Sequence, residues 1–250
     1  MATALSIEGL TKCFGGLIAV DGVDVAFESG RLNAIIGPNG AGKTTLFNLL
    51  TGLIPADRGH AFFDGGDLVG MKPHQIASAG VSRTLQIKSV FGGLTVADNI
   101  RVALMAHERI MDPIRPARRY RALNRRVEEI ASEAGLADLM HRMANTLSYG
   151  DVALLEIALA LANDPKLLLL DEPICGMSPS ETERTVEKIK QLSRRADIIL
   201  IEHDMEVVFA IADDIVVMAQ GRVLARGTPR DVAQNADVQS VYLGAPEDEE

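Results

Sequence analysis

Residues 37–44 read GPNGAGKT, a complete G-x-x-x-x-G-K-T loop set in the context that gives such loops meaning. A short apolar run, LNAIIG, precedes it and a helical pattern, KTTLFNLLTGL, follows. A strand that ends in this loop and turns directly into a helix is the unit from which a parallel sheet flanked by helices is built. Gly37, Gly40 and Gly42 let the backbone curl so that successive N–H groups point inward at a polyphosphate, and the helix N-terminus adds its partial positive charge. Pro38, Asn39, Ala41 and Thr45 complete the candidate contact set. Lys43 is predicted to reach the outer phosphates and the Thr44 hydroxyl to ligate Mg²⁺.

Three further apolar runs, KLLLLDEP, DIILIEHD and DIVVMAQG, are brief, rich in branched residues and bounded by charged or turn residues, as buried strands are. Helical patterns separate them, so the core is predicted to be α/β. LSIEGLTKCF, VDVAFESG and GHAFFDGG instead alternate and turn on Gly or Asp, which predicts a small antiparallel sheet beside the parallel one. From about residue 89 to about residue 163 strand signals vanish, and a helical subdomain is predicted there, inserted in a single domain over residues 1–246. The acidic end, residues 247–250, is predicted to be a frayed tail.

The run LLLLDEP delivers Asp171 to the carboxyl edge of the sheet, where such folds bind their ligands, as a candidate for the metal's hydration shell. Glu172, next to it, is the best-placed carboxylate to polarise a water. His203 in LIEHD ends another strand, and its imidazole N–H is a candidate to hold a phosphate or the attacking water. LSYGD, residues 147–151, reads as a capping box of Ser148 and Asp151 at a helix start. It also reads as a helix N-terminus offering N–H groups to an anion.

The net charge of −9 argues against a broad basic surface for nucleic acid. The arginines of residues 115–126 are expected on a solvated helix face. Two cysteines, Cys13 and Cys175, lack metal-ligand spacing and suit a reducing compartment. No apolar run approaches the roughly 18 to 20 residues needed to cross a bilayer, so attachment to a membrane would need another chain.

Taken in order, GPNGAGKTT, LSYGD, LLLLDEP and IEHD resemble the Walker A, signature, Walker B and switch-histidine motifs of the ATP-binding cassette (ABC) ATPases. The resemblance implies a P-loop NTPase (RecA-like) fold with ATP and Mg²⁺ as cofactors, and ATP hydrolysis coupled to transport. It also implies Gln86 in RTLQ as a contact to Mg²⁺ and water, and Phe14 in KCFGG as the aromatic stacked on adenine. Ser148 and Gly150 become a grip for the γ-phosphate held by another subunit. FGGLIAVDGV, RTLQ, GMSPSE, IEHDMEVVF and the terminal VYLG are most similar to ATPase subunits of importers for branched-chain and other hydrophobic amino acids.

That likeness implies transmembrane permease subunits, a second ATPase subunit (a copy or a sister chain), an indirect solute-binding protein and no nucleic acid. It implies a peripheral place on the cytoplasmic face of the membrane. The rival readings are a soluble cassette acting on nucleic acid or ribosomes, and a scaffold that binds ATP but hardly hydrolyses it. Two departures stand out: Val152, Ala153 and Leu154 follow the signature where polar residues are usual, and Ser178 stands where many relatives have Asn or Asp.

Overall fold

The computed structural model describes residues 3–84, 90–110 and 120–243. Its larger sheet has six strands: β3 (Leu32–Ile36), β6 (Val81–Arg83), β7 (Leu167–Asp171), β8 (Asp197–Ile201), β9 (Asp214–Ala219) and β10 (Arg222–Gly227). Their order is β10-β9-β3-β8-β7-β6, with β10 antiparallel to β9 and the other pairings parallel. The four long apolar runs are its four central strands. The two edge strands were not evident in the sequence, since one is only three residues long and the other is largely half-exposed.

Strand alternation explains why these runs are apolar throughout. Leu168 and Leu170 of β7 join Ile198 and Leu200 of β8 in one hydrophobic cluster, on the side of the helices. Leu167 and Leu169 join Ile199 and Ile201 in a second cluster, on the side of the smaller sheet. Each strand therefore feeds both cores, and a charged residue is tolerated only at its end. That end is where Asp171 pairs in register with Ile201, and where Ile36 precedes Gly37 beside Val217.

The smaller sheet is fully antiparallel, ordered β2-β1-β4-β5 from β1 (Thr3–Phe14), β2 (Leu17–Glu28), β4 (Arg58–Phe63) and β5 (Gly66–Asp67). Its inner face packs Phe27, Leu5 and Ile7 against α1 (Lys43–Leu50), which follows the glycine-rich loop. A short helix, α2 (Pro73–Ser78), leads into β6.

Between β6 and β7 the described elements are α3 (Val96–His107), α4 (Arg121–Glu133) and α5 (Tyr149–Leu161), with short 3-10 turns between the last two. In α4, Leu123, Val127, Ile130 and Ala131 form the buried stripe at helical spacing, while Arg121 and Arg125 face solvent and Arg126 pairs with Glu129 and Asp164. These arginines form a solvated face, and the others of that stretch lie outside the described residues. Helix α5 is apolar on nearly every side, with Leu154, Leu155, Ile157 and Ala158 fully buried, so it serves as the hub of the helical layer.

The chain continues through α6 (Pro179–Leu192) before β8, α7 (Met205–Ile211) after it, and α8 (Pro229–Ala233) and α9 (Ala236–Leu243) after β10. No helix among the described residues is long and apolar enough to cross a membrane. The acidic tail and Gln86 fall outside the described residues.

Candidate functional site

The glycine loop is held open by close approach of other backbone. A Cβ on Gly37 would come 2.1 Å from the Met218 carbonyl oxygen, and one on Gly42 would come 2.3 Å from that of Ala19. Gly42 caps α1 in the left-handed region, with φ of 99°, and this sharp reversal puts Lys43 and Thr44 in the first turn of the helix. The Lys43 ammonium folds back to donate to the carbonyls of Gly37 at 2.6 Å and Pro38 at 3.0 Å. Burial pushes its pKa below the ordinary lysine value, against the pull of the nearby Glu172 and Asp171 carboxylates.

A cavity of about 600 Å³ opens over this loop. Phe14, Asn39, Gly40, Ala41, Gly42, Lys43, Thr44, Thr45 and Glu172 share its lining, with Gln220 beside them. Phe14 is half exposed at the end of β1, with the Lys12 ammonium 5.5 Å from its ring centre. An aromatic face on the rim, a cation and N–H groups at the floor, and a carboxylate on the wall suit a base joined to a polyphosphate.

The acids sit at the ends of adjacent strands. Asp171 has no exposed side-chain surface; its Oδ2 accepts from Arg83 Nη2 at 2.6 Å and its backbone N–H donates to Thr84 Oγ1 at 3.2 Å. Its Oδ1 is buried and has no hydrogen-bond partner among the described residues. Burial pushes the Asp171 carboxyl up from its usual range, while Arg83 opposes the shift. An orphaned carboxylate oxygen near Lys43 fits a place for Mg²⁺ or a water of its shell. Among the described residues no group of three or more His, Cys, Asp or Glu side chains could hold an ion unaided, so phosphate oxygens would have to complete the ligand set.

Glu172 follows in the left-handed region, with φ of 49°, its N–H donating to the Ile201 carbonyl at 2.9 Å. That turn swings its side chain into the loop cavity and into a second cavity of about 460 Å³, lined also by Asp171, Val152 and Ala153. His203 is exposed, with Nδ1 4.0 Å from Glu172 Oε2, close enough for electrostatic contact and too long for a hydrogen bond.

Between them lies Glu202, which sequence reasoning passed over although IEHD contains it. It is fully buried and accepts from the N–H groups of Ile174 at 3.0 Å and His203 at 3.2 Å. Burial pushes its carboxyl up to about 7. A glutamate closing an apolar strand was the available signal.

The LSYGD segment departs from the capping box read in the sequence. Ser148 caps α5 by accepting the Asp151 N–H at 3.2 Å, but the reciprocal arm is missing. The Asp151 carboxylate is drawn instead to Arg184 Nη1 at 2.7 Å, because α6 packs across the start of α5. The N-terminus of α5 takes its anion from Glu181. Glu181 Oε1 accepts from the Gly150 N–H at 3.1 Å, and Oε2 accepts from the Ser178 N–H at 3.0 Å and the Ser178 hydroxyl at 2.7 Å. These donors, with the Ser148 hydroxyl, hold the Glu181 carboxyl down at about 2. Ser178 and Glu181 thus form a true capping box, on α6. Neither Ser148 nor Gly150 lines the cavity over the glycine loop.

A glycine loop at the end of β3, acids at the ends of the neighbouring strands and a helix on either face define a P-loop nucleotide-binding cassette. The family model for ABC transporters matches residues 20–175, and that for branched-chain amino acid ATP-binding cassette transporters matches residues 222–248. The chain is 40% identical to the high-affinity branched-chain amino acid transport ATP-binding protein BraF of Pseudomonas aeruginosa, over 96% of this chain and 97% of that one.

Its fold is similar to a solved nucleotide-free cassette from an ABC transporter, with a TM-score of 0.87 and 28% identity over 98% of this chain and all of the other. It is also similar to an ABC transporter cassette solved in its ADP conformation, with a TM-score of 0.84 and 29% identity over 98% of this chain and 100% of that one. The chain belongs to the ATP-binding cassettes of the ABC transporter family, and it is a nucleotide-binding ATPase of that family.

Proposed function

We propose that this chain powers import of branched-chain amino acids, or a closely related small solute, through separate permease subunits. The observation that carries the mechanism is the division of the site. The glycine loop, Glu172 and the aromatic rim of Phe14 share one cavity, and Ser148 and Gly150 line no part of it.

On this reading, two chains meet head to tail, and each ATP lies between one chain's loop and the other's α5 N-terminus. Phe14 stacks on the base, the N–H groups of residues 37–45 cradle the phosphates, and Lys43 leaves its two carbonyls for the outer phosphates. Thr44 and Asp171, with Gln86, would hold Mg²⁺, which would supply charge neutralisation at the phosphates. Glu172 orients and polarises the attacking water, and His203 donates to the γ-phosphate. ATP shifts the open–closed balance only through contacts made in the closed pair, so the grip of Ser148 and Gly150 is where binding becomes work.

The transported solute is supported by the match of residues 222–248 and by the likeness to BraF. A solute-binding protein and two permease subunits complete the proposed assembly, with this chain peripheral on the cytoplasmic face.

Glu172→Gln tests the clamp. It should bind MgATP and run as a dimer by light scattering, with turnover reduced on the order of 10²- to 10⁴-fold. A folded, ATP-saturated variant that stays monomeric would overturn it. Leucine uptake by membranes carrying the permeases should then require the wild-type chain.

A further inference from the structure

Arg83 carries no part in the mechanism above, yet its guanidinium is nearly buried, with 6% of the side chain exposed. Nη2 holds Asp171 Oδ2 at 2.6 Å, while Nη1 holds Asn48 Oδ1 at 2.7 Å and reaches Thr51 Oγ1 at 3.4 Å. The guanidinium lies 5.4 Å from the centre of the Phe47 ring. Phe47, Asn48 and Thr51 belong to α1 and its C-terminal cap, the helix that starts at Lys43 and Thr44. One planar cation therefore ties the helix of the glycine loop to the strand end that bears the acid.

The fork has a chemical consequence. A free carboxylate can offer both oxygens to a divalent ion, a mode that Ca²⁺ accepts and that the tighter octahedral shell of Mg²⁺ disfavours. Here Oδ2 is taken by Arg83, and Oδ1, buried and without a partner among the described residues, is the oxygen left over. Lysine at this place would supply charge without the planar fork or the stacking on Phe47.

We infer that Arg83 is a positioning residue for the metal site: it fixes the Asp171 carboxylate so that a single oxygen, Oδ1, meets the Mg²⁺ shell. The inference rests on the reading of Asp171 as the metal-orienting acid. It makes Arg83 a determinant of metal preference as well as of geometry, since releasing Oδ2 would let Asp171 close on a larger ion with both oxygens. Asn48 shares the role at one remove, by anchoring the other arm of the guanidinium.

The experiment compares ATP affinity of the full chain, by displacement of a fluorescent nucleotide, in EDTA, in Mg²⁺ and in Ca²⁺. Arg83→Met should keep its metal-free affinity within about twofold and lose roughly tenfold of the gain that Mg²⁺ confers, the worth of one charge-assisted contact. Its preference for Mg²⁺ over Ca²⁺ should shrink in parallel. Arg83→Lys should fall between the two, and Asn48→Ala should shift the same way by less.

A purely structural ion pair would lower the melting temperature and leave the Mg²⁺ gain and the Mg²⁺-to-Ca²⁺ ratio untouched. That result in Arg83→Lys and Asn48→Ala overturns the inference, even if Arg83→Met does not fold. Asp171→Asn is the reference: losing the gain there while the Arg83 variants keep it overturns the role of Arg83 alone. If Asp171→Asn keeps the full gain, the reading of Asp171 fails, and the inference with it.

Discussion

The two halves of the proposed ATP site meet their electrostatic needs in opposite ways while the chain is alone. In the glycine loop the group awaiting a partner is a cation, and Lys43 is satisfied by the carbonyls of Gly37 and Pro38. At the start of α5 the groups awaiting a partner are N–H and O–H donors, and the carboxylate of Glu181 satisfies them. The first stand-in is a pair of neutral dipoles. The second is a full charge of the same sign as the ligand. Binding at the loop therefore asks only for a rearranged lysine, whereas binding at α5 asks an anion to give way to another anion. In the proposed clamp, this difference would give the loop the nucleotide binding of the monomer and α5 the ATP-driven switch.

The largest effect is expected from breaking the loop half. Lys43→Ala removes charge-assisted bonds worth about 1.5–3 kcal/mol, so ATP affinity should fall roughly 10- to 100-fold in equilibrium titration. Unchanged affinity would mean that Lys43 stays on its carbonyls with nucleotide bound.

Gly150→Ala breaks the other half. The added Cβ would sit 2.9 Å from Glu181 Cβ and 3.1 Å from its Cγ, so the α5–α6 contact must shift, at about 1–3 kcal/mol of stability. Nucleotide should still bind the monomer with near-normal affinity, while the Glu172→Gln background no longer dimerises. Loss of monomer binding would show that the halves are not separable.

Glu181→Gln sharpens the contrast by keeping the shape of the stand-in without its charge. The γ-phosphate would no longer have to displace a like charge, so dimerisation in the Glu172→Gln background should need several-fold less ATP. An unchanged or raised ATP requirement would mark Glu181 as a plain helix cap.

The smallest effect concerns Glu202, behind both acids. Its folded pKa of about 7 lies above the ordinary 4.5, so the folded chain binds the extra proton. The stability this contributes is complete below the unfolded value and is lost as pH rises through about 7. Glu202→Gln should flatten the fall in melting temperature between about pH 5 and about pH 8. A slope equal to wild type would place the titration elsewhere.

What could be read in the sequence was what the chain encodes contiguously. Glycines at fixed spacing between a strand and a helix specify the loop, and four apolar runs specify four buried strands. The short β6 and the half-exposed β10 gave no such pattern, and both lie at edges. In LSYGD the Ser148 cap is local and was legible. The fate of Asp151 was not, because Arg184 is 33 residues away. Gln86, as a metal and water contact, rests on its motif alone.

The sequence by itself determined the α/β class and the glycine-rich turn from β3 into α1, because backbone conformation and strand burial follow from neighbouring residues. Only the tertiary structure decided that Arg83 takes one oxygen of Asp171 across 88 residues, and that Glu181 seats itself on Gly150 across 31. Charged side chains choose partners by where sheet register and helix packing bring them once water is excluded, and no local pattern carries that choice.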